Sequence, residues 1–442
     1  MARDIAHLNL LANAISLIGQ VDGLSQTLGA QFRLAHTNLK MTNSPTHFLL
    51  TAATVASLLL HSNMTTMAQP RDPLADAYAF LYKQMDKYAQ GTALRLPQSY
   101  VPTATFSNGD VSYTYDDDVM TIALLARGNP DDIGRARVLG DSLLYLQAHD
   151  RARDGRVRDA YHARTSVGAS GMTNIANAAS HTGNLAWTGM TFAQLYRATK
   201  SPKYLTAALA LANFVQRNFY DSRGIGGYTG GFEASGAKVR YKSTEHNIDL
   251  YALFAMLARL TGDGAWNGRA DHALKMIAAM WDMKRGYFWI GTALDGQSIN
   301  KLDPVPEDVQ TWSFLSLRLR PYQHSIDWAL SNLSAVNGQF SGLSFAANDR
   351  SGVWFEGTAH AALALAIRNT SRDFEAAQAL LSDIEAGQRA PNANGGGIAA
   401  ASKDGLKTGD GADDRYYAAL HIAATAWYCL AKQSANPFQL LK

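Results

Sequence analysis

Two kinds of helical segment alternate along the chain from about residue 72 onward. In the segment 373–387, apolar residues such as Phe374 and Leu381 recur every three to four positions opposite polar residues such as Glu375. In the segment 244–261, apolar residues lie on nearly every side of the helix. A helix with one apolar stripe keeps its other side in solvent, whereas a helix without a polar side is interior. The pattern therefore predicts a regular alternation of outer and inner helices.

Twelve helices are predicted in this way, divided equally between the two kinds. The inner helices are expected at about 116–126, 183–199, 244–261, 307–317, 354–368 and 416–432, and the outer ones at about 73–88, 133–148, 203–218, 266–282, 324–336 and 373–387. Such a series favours a closed ring, the all-α (α/α)6 toroid of six inner and six outer helices. The ring is expected to form a catalytic domain over residues 69–442.

Two other architectures are compatible with a series of helices. An open solenoid also stacks helical repeats, but its repeats rarely vary so much in length or carry different polar clusters at each inner start. A two-domain all-α arrangement is less favoured because no linker rich in Pro, Ser or charge interrupts the series.

Composition excludes several classes of function. The chain has 442 residues and a net charge of +3, from 40 Lys and Arg against 37 Asp and Glu, with no basic block. Nucleic acid is therefore not expected as a partner. Cys429 is the only cysteine, so no internal disulfide or thiolate metal cluster can form. It lies in an apolar helical run and is expected to be buried and inert. The protein is expected to be a monomer.

Residues 1–68 are predicted to form an N-terminal extension that precedes the barrel. The apolar run at 48–60 is too short to span a bilayer as a stable helix, but it fits the core of a signal peptide at about 41–68. Met41 is a candidate translation start, and the sequence that ends at Ala68 resembles a small-residue cleavage site. Export to the periplasm or the medium is expected. The alternative is an ordinary N-terminal helix packed on the barrel.

In a closed ring of antiparallel hairpins, all inner helices run in the same direction, so their first turns converge at one end of the barrel. Polar and aromatic residues are concentrated at these first turns. The candidate substrate-binding residues are Tyr115, Asp117, His181, Trp187, His246, Asp249, Asp308, Trp312 and Trp354. Aromatic rings offer flat faces for the C–H faces of sugars, and carboxylates accept hydrogen bonds from hydroxyls. The pattern indicates a carbohydrate site at the barrel mouth.

Three of these clusters contain longer motifs, YDDDV at 115–119, STEHNID at 243–249 and WFEGTA at 354–359. They resemble the barrel-mouth motifs of the (α/α)6-barrel carbohydrate-active enzymes that bacteria secrete. The resemblance is one of architecture and motif style, and it covers about 72–432. It implies glycoside hydrolysis or, less often, polysaccharide elimination. Because one fold supports many reactions, the site residues have to carry the functional assignment.

Glycoside hydrolysis requires one protonated carboxylic acid and a second carboxylate that acts as base or nucleophile. The preferred pair is Asp116 as base and Glu245 as acid, from different inner helices. The apolar neighbours of Glu245 favour a raised pKa, and Glu356, in an aromatic and glycine-containing setting, is the alternative acid. Neither a cofactor nor a metal is expected, because the glycine-rich segment 224–231 lacks the dinucleotide-binding spacing and no H-E-x-x-H is present.

Other interpretations of the same residues remain open. A polysaccharide lyase would use Tyr115, His181 or His246 as base, and Asn184, Asn247 or Arg240 to neutralise a uronate carboxylate. A non-catalytic glycan-binding protein would need the aromatic residues but no carboxylate pair. A single carboxylate at a helix start is also more often a cap or dipole partner than a catalyst. That interpretation is favoured for Asp118 and Glu307, and a structural role rather than that of a proton shuttle is favoured for His246 and His421.

Overall fold

The computed structural model describes residues 72–89, 93–166, 171, 173–302, 304–390, 396–409 and 414–442. The predicted extension and its signal peptide lie outside these residues, so both stay predictions. No helix in the described part of the chain is both long and apolar enough to cross a membrane.

Twelve α-helices in the described residues alternate between the inside and the outside of a ring. The inner helices are α2 (Thr114–Arg127), α4 (Thr182–Thr199), α6 (Thr244–Thr261), α8 (Glu307–Leu317), α10 (Phe355–Arg368) and α12 (Ile422–Lys432). The outer helices are α1 (Pro73–Asp86), α3 (Pro130–Ala148), α5 (Pro202–Phe219), α7 (Ala265–Met280), α9 (His324–Asn332) and α11 (Asp373–Gln388). Each inner helix packs against the next one, and α12 packs against both α10 and α2. The ring is closed, and the predicted all-α (α/α)6 toroid is confirmed.

The two kinds of helix are buried as their patterns predict. Every residue of α8 is buried, and in α12 Lys432 alone is not. In the outer helix α11, Leu381 is buried, but Phe374 lies at the exposed helix start and is 69% exposed. Cys429 of α12 is buried, as predicted, and burial raises the pKa of its thiol.

Short antiparallel strands occupy the connections between helices. Two sheets have three strands each, β1 (Val111–Tyr113) with β2 (Ala160–His162) and β3 (Ile175–Asn177), and β4 (Ser180–His181) with β5 (Gly231–Phe232) and β6 (Lys238–Val239). The pairs are β7 (Trp281–Asp282) with β8 (Tyr287–Phe288), β9 (Gly291–Thr292) with β10 (Ile299–Asn300), β11 (Ser334–Asn337) with β12 (Phe340–Leu343), β13 (Ile398–Ala399) with β16 (Leu420–His421), and β14 (Leu406–Lys407) with β15 (Arg415–Tyr416). Strands β1, β4 and β16 lead directly into inner helices and fix where those helices begin.

Two predicted helices are shorter in the structure because their ends pair as strands. The last inner helix was predicted from residue 416, but β15 and β16 occupy its first part and α12 begins at Ile422. The end of the predicted helix 324–336 forms part of β11, which pairs with β12. In both cases strand pairing outcompetes a local helical pattern.

The residues that follow α12 close the barrel at the end opposite the mouth. Phe438 is 1% exposed and its ring contacts Trp187, Trp312 and Trp427 of three inner helices. Asn436 Nδ2 donates to the Leu315 carbonyl, near the end of α8, at 2.8 Å. The central aromatic cluster therefore forms a closed floor beneath the mouth.

Candidate active site

A cavity of about 570 Å³ opens at the end of the barrel where the inner helices begin. Five carboxylates line this central cavity. Four come from inner helices, Asp116 of α2, Glu245 of α6, Asp308 of α8 and Glu356 of α10, and the fifth is Asp414, directly before β15. The three residues predicted as catalytic, Asp116, Glu245 and Glu356, therefore share one cavity. Predicted inner-helix starts that lie far apart in sequence meet here because all inner helices run in the same direction.

One imidazole ring lies between two of these carboxylates. His421 Nε2 is 3.1 Å from Asp116 Oδ2, and His421 Nδ1 is 3.6 Å from Glu356 Oε2. All three side chains are buried. His421 is held in place by the pairing of β16 with β13 and by stacking on Tyr100, with ring centroids 4.2 Å apart. A residue expected to be structural thus connects the two carboxylates.

The surroundings of Glu356 and His421 shift the pKa values of both groups. Burial raises the pKa of Glu356 to about 7, although the charge of His421 and the hydrogen bond from Tyr115 lower it. Burial alone would lower the pKa of His421, but the charge of Asp116 and its hydrogen bond raise that pKa above its usual value. Glu356 therefore titrates near neutral pH, as a general acid must.

Tyr115 fixes the orientation of Glu356. Its hydroxyl donates to Glu356 Oε1 at 2.6 Å and accepts from Trp427 Nε1 at 2.8 Å. Trp427 is fully buried. Its indole N–H fixes the Tyr115 hydroxyl, which in turn orients the Glu356 carboxyl group.

Glu245 and Asp308 lie at the border of a second space. A side recess of about 470 Å³, whose wall includes His246, shares both carboxylates with the central cavity. Glu245 is half-buried, and Asp308 is buried, with Oδ1 accepting from the Val309 N–H at 2.6 Å. Both residues are placed to contact a ligand that extends from one space into the other.

Three predicted substrate-binding residues lie behind the cavity wall in the described structure. Asp117 is fully buried and accepts from Ser112 Oγ at 3.0 Å. Asp249 is fully buried, and neither carboxylate oxygen has a hydrogen-bond partner among the described residues. Trp187 packs against Trp312 and other aromatic residues of the floor. Asp249 and Trp187 come one turn after the helix start, and Asp117 faces away from the axis, so these side chains do not reach the cavity.

The accessible aromatic residues are not the predicted tryptophans. Trp312 and Trp354 line the central cavity, but they are only 3% and 2% exposed. Tyr113 is 38% exposed, and Phe106 stacks on Tyr417 at the rim with ring centroids 3.8 Å apart. Phe106 precedes the predicted helix starts, and reasoning from the inner helices missed it. The aromatic residues in the loops that precede α2 and α12 were the available signal.

A second pair of titratable groups lies beside the central cavity. His181 Nδ1 is hydrogen-bonded to Asp159 Oδ2, and the His181 and His246 ring centroids are 6.3 Å apart. Burial opposes protonation of His181, but Asp159 raises its pKa above the usual value. Burial, together with the charge of His181, lowers the pKa of His246 to about 3. One imidazole thus favours its charged form and the other its neutral form.

Two further expectations concern the residues that would neutralise a uronate carboxylate in a lyase and the residues that could bind a metal. Of the residues named for a lyase, Asn184 lines the central cavity, whereas Asn247 is buried and its amide donates to the Tyr228 carbonyl at 3.1 Å. Across the part of the chain that the structure describes, no three His, Cys, Asp or Glu side chains are arranged to hold a metal ion.

Solved structures share this fold at low sequence identity. A D-mannose isomerase is 12% identical, with a TM-score of 0.60 over 83% of this chain and 100% of the other. The cellobiose 2-epimerase from Bacillus thermoamylovorans is 11% identical, with a TM-score of 0.61 over 81% of this chain and 98% of the other. A family 76 glycoside hydrolase (mannosidase) from Bacteroides thetaiotaomicron is 13% identical, with a TM-score of 0.54 over 82% and 98%. No family model and no curated protein matches the sequence. Identities this low establish the fold alone.

Proposed function

We propose that the protein is a glycoside hydrolase in which Glu356 is the general acid and Asp116 the general base. The observation that carries this proposal is the pair of buried carboxylates on either side of His421, one of which has a pKa raised to about 7. A carboxylic acid that titrates near neutral pH can remain protonated until it assists a leaving oxygen. Glu245, the acid preferred from sequence, is assigned to substrate binding because it lies half-buried at the cavity border.

In the proposed reaction Glu356 donates one proton and Asp116 accepts one. Glu356 gives its proton to the glycosidic oxygen as the bond from the anomeric carbon to that oxygen breaks. Asp116 accepts a proton from the water whose oxygen forms the new bond to the anomeric carbon. This leaves Glu356 ionised and Asp116 protonated. The starting state is restored when Asp116 loses its proton to solvent and Glu356 takes one up from solvent.

The fold neighbours support the substrate class. The structures with this fold include a mannosidase, a mannose isomerase and a cellobiose epimerase, so a sugar or a glycan is the substrate class we propose. The rim aromatics Phe106, Tyr113 and Tyr417 supply faces on which a sugar ring can stack.

A glycan panel tests the proposal. The wild-type protein is expected to release new reducing ends from at least one oligosaccharide, and Glu356→Gln and Asp116→Asn are each expected to lose at least about 100-fold in kcat. Glu245→Gln should mainly raise KM. Glu375→Gln, which changes an exposed carboxylate of α11, is the matched control and should behave as wild type. Products with the ultraviolet absorbance of an unsaturated uronate would indicate a lyase instead. Binding without cleavage, unchanged in both variants, would indicate a glycan-binding protein.

A second candidate is the isomerisation or epimerisation of a sugar by His181 and His246. The raised pKa of His181 and its closeness to His246, with ring centroids 6.3 Å apart, favour it. Neutral His246 would remove the proton next to the carbonyl of an open-chain sugar, and protonated His181 would donate to the carbonyl oxygen. Incubation of mannose and of cellobiose with the protein in D2O, followed by NMR, tests this reaction. Deuterium at C2 that is lost in His246→Asn and kept in Glu356→Gln would favour the second candidate over hydrolysis.

A further inference from the structure

Behind Glu356 lies an imidazole–carboxyl pair that the hydrolytic scheme does not use. His360 follows Glu356 by one turn of α10, and its Nε2 is 3.8 Å from Glu356 Oε1. Its other nitrogen, Nδ1, is 3.0 Å from Glu307 Oε2 of α8. The side chains of His360 and Glu307 are both 0% exposed. Five titratable groups thus form a continuous row, from Glu307 through His360, Glu356 and His421 to Asp116.

Aromatic side chains surround His360, which is fully buried. Its ring lies against Trp312, Trp354 and Trp427, with centroid distances of 5.1, 5.2 and 4.2 Å. Burial lowers the pKa of His360 well below its usual value and raises the pKa of Glu307 well above its usual value. Each group is therefore disfavoured in its charged form, and a neutral carboxylic acid beside a neutral imidazole is the expected state.

This neutral pair determines which nitrogen of His360 carries the proton. A protonated Glu307 donates its hydrogen bond to Nδ1, so the ring proton lies on Nε2. If the proton moves from Glu307 to Nδ1, Nε2 keeps its own proton. In both states an N–H lies 3.8 Å from Glu356 Oε1, the oxygen that already accepts from Tyr115. That separation is longer than a hydrogen bond, but the N–H dipole still stabilises negative charge on Oε1 because both groups are buried.

The geometry points to Glu307 and His360 as positioning residues that reserve Oε1 of Glu356 for accepting hydrogen bonds and leave Oε2 to carry the transferable proton. Oε2 has no hydrogen-bond partner among the described residues and lies on the side of His421. The inference rests on the proposed general-acid role of Glu356. It assigns a role to Glu307, which was interpreted as a helix-start residue, and to His360, which sequence reasoning did not single out.

Gly357 supports a close fit around this pair. A Cβ atom at this position would lie 3.0 Å from Glu307 Oε2 and 2.2 Å from the Trp354 ring. A larger residue here would displace the carboxyl group from His360. The helix α10 thus supplies both the imidazole and the space for its partner.

Several other titratable groups face the two carboxyl groups. Those that act on Glu356 are Tyr100, Tyr115, Asp116, Tyr416 and His421, and the neighbour that acts on Glu307 besides Glu356 is Asp308. All of them stay unchanged in the variants proposed below. A change in the titration of Glu356 can therefore be attributed to the pair.

The test is a direct titration of Glu356 in the full chain. Protein labelled with ¹³C at the glutamate side-chain carboxyl carbons gives a Glu356 resonance, identified by its absence in Glu356→Gln. His360→Phe removes the N–H that stabilises ionised Glu356, so the pKa of Glu356 is expected to rise by about one unit. Glu307→Leu should produce the same shift, because His360 is then free to place its proton on Nδ1. Glu307→Gln keeps a donor to Nδ1, so the Glu356 titration should stay close to that of the wild type.

Kinetics provide a second readout. In His360→Phe and Glu307→Leu, kcat is expected to fall about 10-fold with little change in KM. The alkaline limb of the pH profile should move to higher pH, because the pKa of Glu356 rises. An unchanged Glu356 titration in His360→Phe would overturn the inference, as would a shift in Glu307→Gln as large as that in Glu307→Leu. If the wild type cleaves no glycan while the titration shifts as expected, the proposed hydrolase function fails and the positioning of Glu356 stands.

Discussion

At Glu356, neighbouring groups act on one carboxyl in opposite directions. Burial and the charge of Asp116 raise its pKa, whereas His421 and the Tyr115 hydroxyl lower it, and the net result is a value of about 7. Asp116, which is also buried, faces the imidazole of His421 directly. Two carboxyl groups in one cavity can therefore take the acid and base roles, because one is favoured in its protonated form.

The pH dependence of kcat/KM follows from this value. A general acid must be protonated, and Glu356 is protonated below its pKa, so activity is expected to fall as the pH rises through about 7. Tyr115→Phe removes a donor that stabilises the ionised form, which raises the pKa of Glu356 and shifts the alkaline limb to higher pH. The measurement is kcat/KM against pH at constant ionic strength. Tyr251→Phe, outside the cavity, is the control, and a limb that stays in place in Tyr115→Phe would contradict the account.

At the scale of the elements, the strands that lead into the inner helices decide where site residues lie. Gly231 of β5 has φ +120°, and a Cβ atom there would lie 2.4 Å from the carbonyl oxygen of Ser180 in β4. β4 carries His181 into the start of α4. Only glycine permits this approach, so the position of His181 depends on Gly231.

Substitution at this glycine is expected to destabilise the protein. Gly231→Ala combines an unfavourable φ with a backbone clash and should lower the free energy of unfolding by about 1–3 kcal/mol, with displacement of the His181 resonances in NMR spectra. Gly236 also has a positive φ, of +84°, but open space where a Cβ would lie, so Gly236→Ala should cost less. Urea midpoints measure the difference. Equal losses for the two variants would mean that the β4–β5 approach does not position His181.

The helices could be predicted from sequence, whereas the strands and much of the site could not. Periodicity identifies α6 and α11 because their burial is decided within the helix itself. Residues 416–421 look helical locally, but β16 pairs with β13, a partner that no local pattern reveals. For the same reason His360, one buried histidine inside a helix, showed no sign of its contact with Glu307. Asp249 was wrongly placed at the mouth because one helical turn separates the rim from the core.

At the scale of the whole molecule, we expect stability to depend on closure of the barrel floor by the residues after α12. Phe438 fills the space among Trp187, Trp312 and Trp427, and these tryptophans in turn support Tyr115 and His360. Phe438→Ala is expected to lower the free energy of unfolding by about 3–5 kcal/mol. Phe374→Ala, at a 69% exposed position of α11, should change it by less than about 0.5 kcal/mol. Similar denaturation midpoints for the two variants would show that Phe438 does not close the core.

Export of the protein is a proposal that rests on the sequence before the barrel. If residues 41–68 act as a signal peptide, the mature chain should begin at Gln69. Mass spectrometry of the protein recovered from the periplasm or the medium measures its N-terminus. A chain in the cytoplasm that retains residues 48–60 would contradict the proposal and favour an ordinary N-terminal helix.

The most direct test of the central claim compares leaving groups. Aryl glycosides with strongly acidic phenols leave without protonation, whereas a natural sugar leaving group needs the general acid. Glu356→Gln is therefore predicted to keep most of its kcat/KM on an activated aryl glycoside while it loses at least about 100-fold on the matching oligosaccharide. Asp116→Asn is predicted to lose activity on both substrates. Equal losses of Glu356→Gln on the two substrates, or no loss on either, would contradict the assignment of Glu356 as the acid.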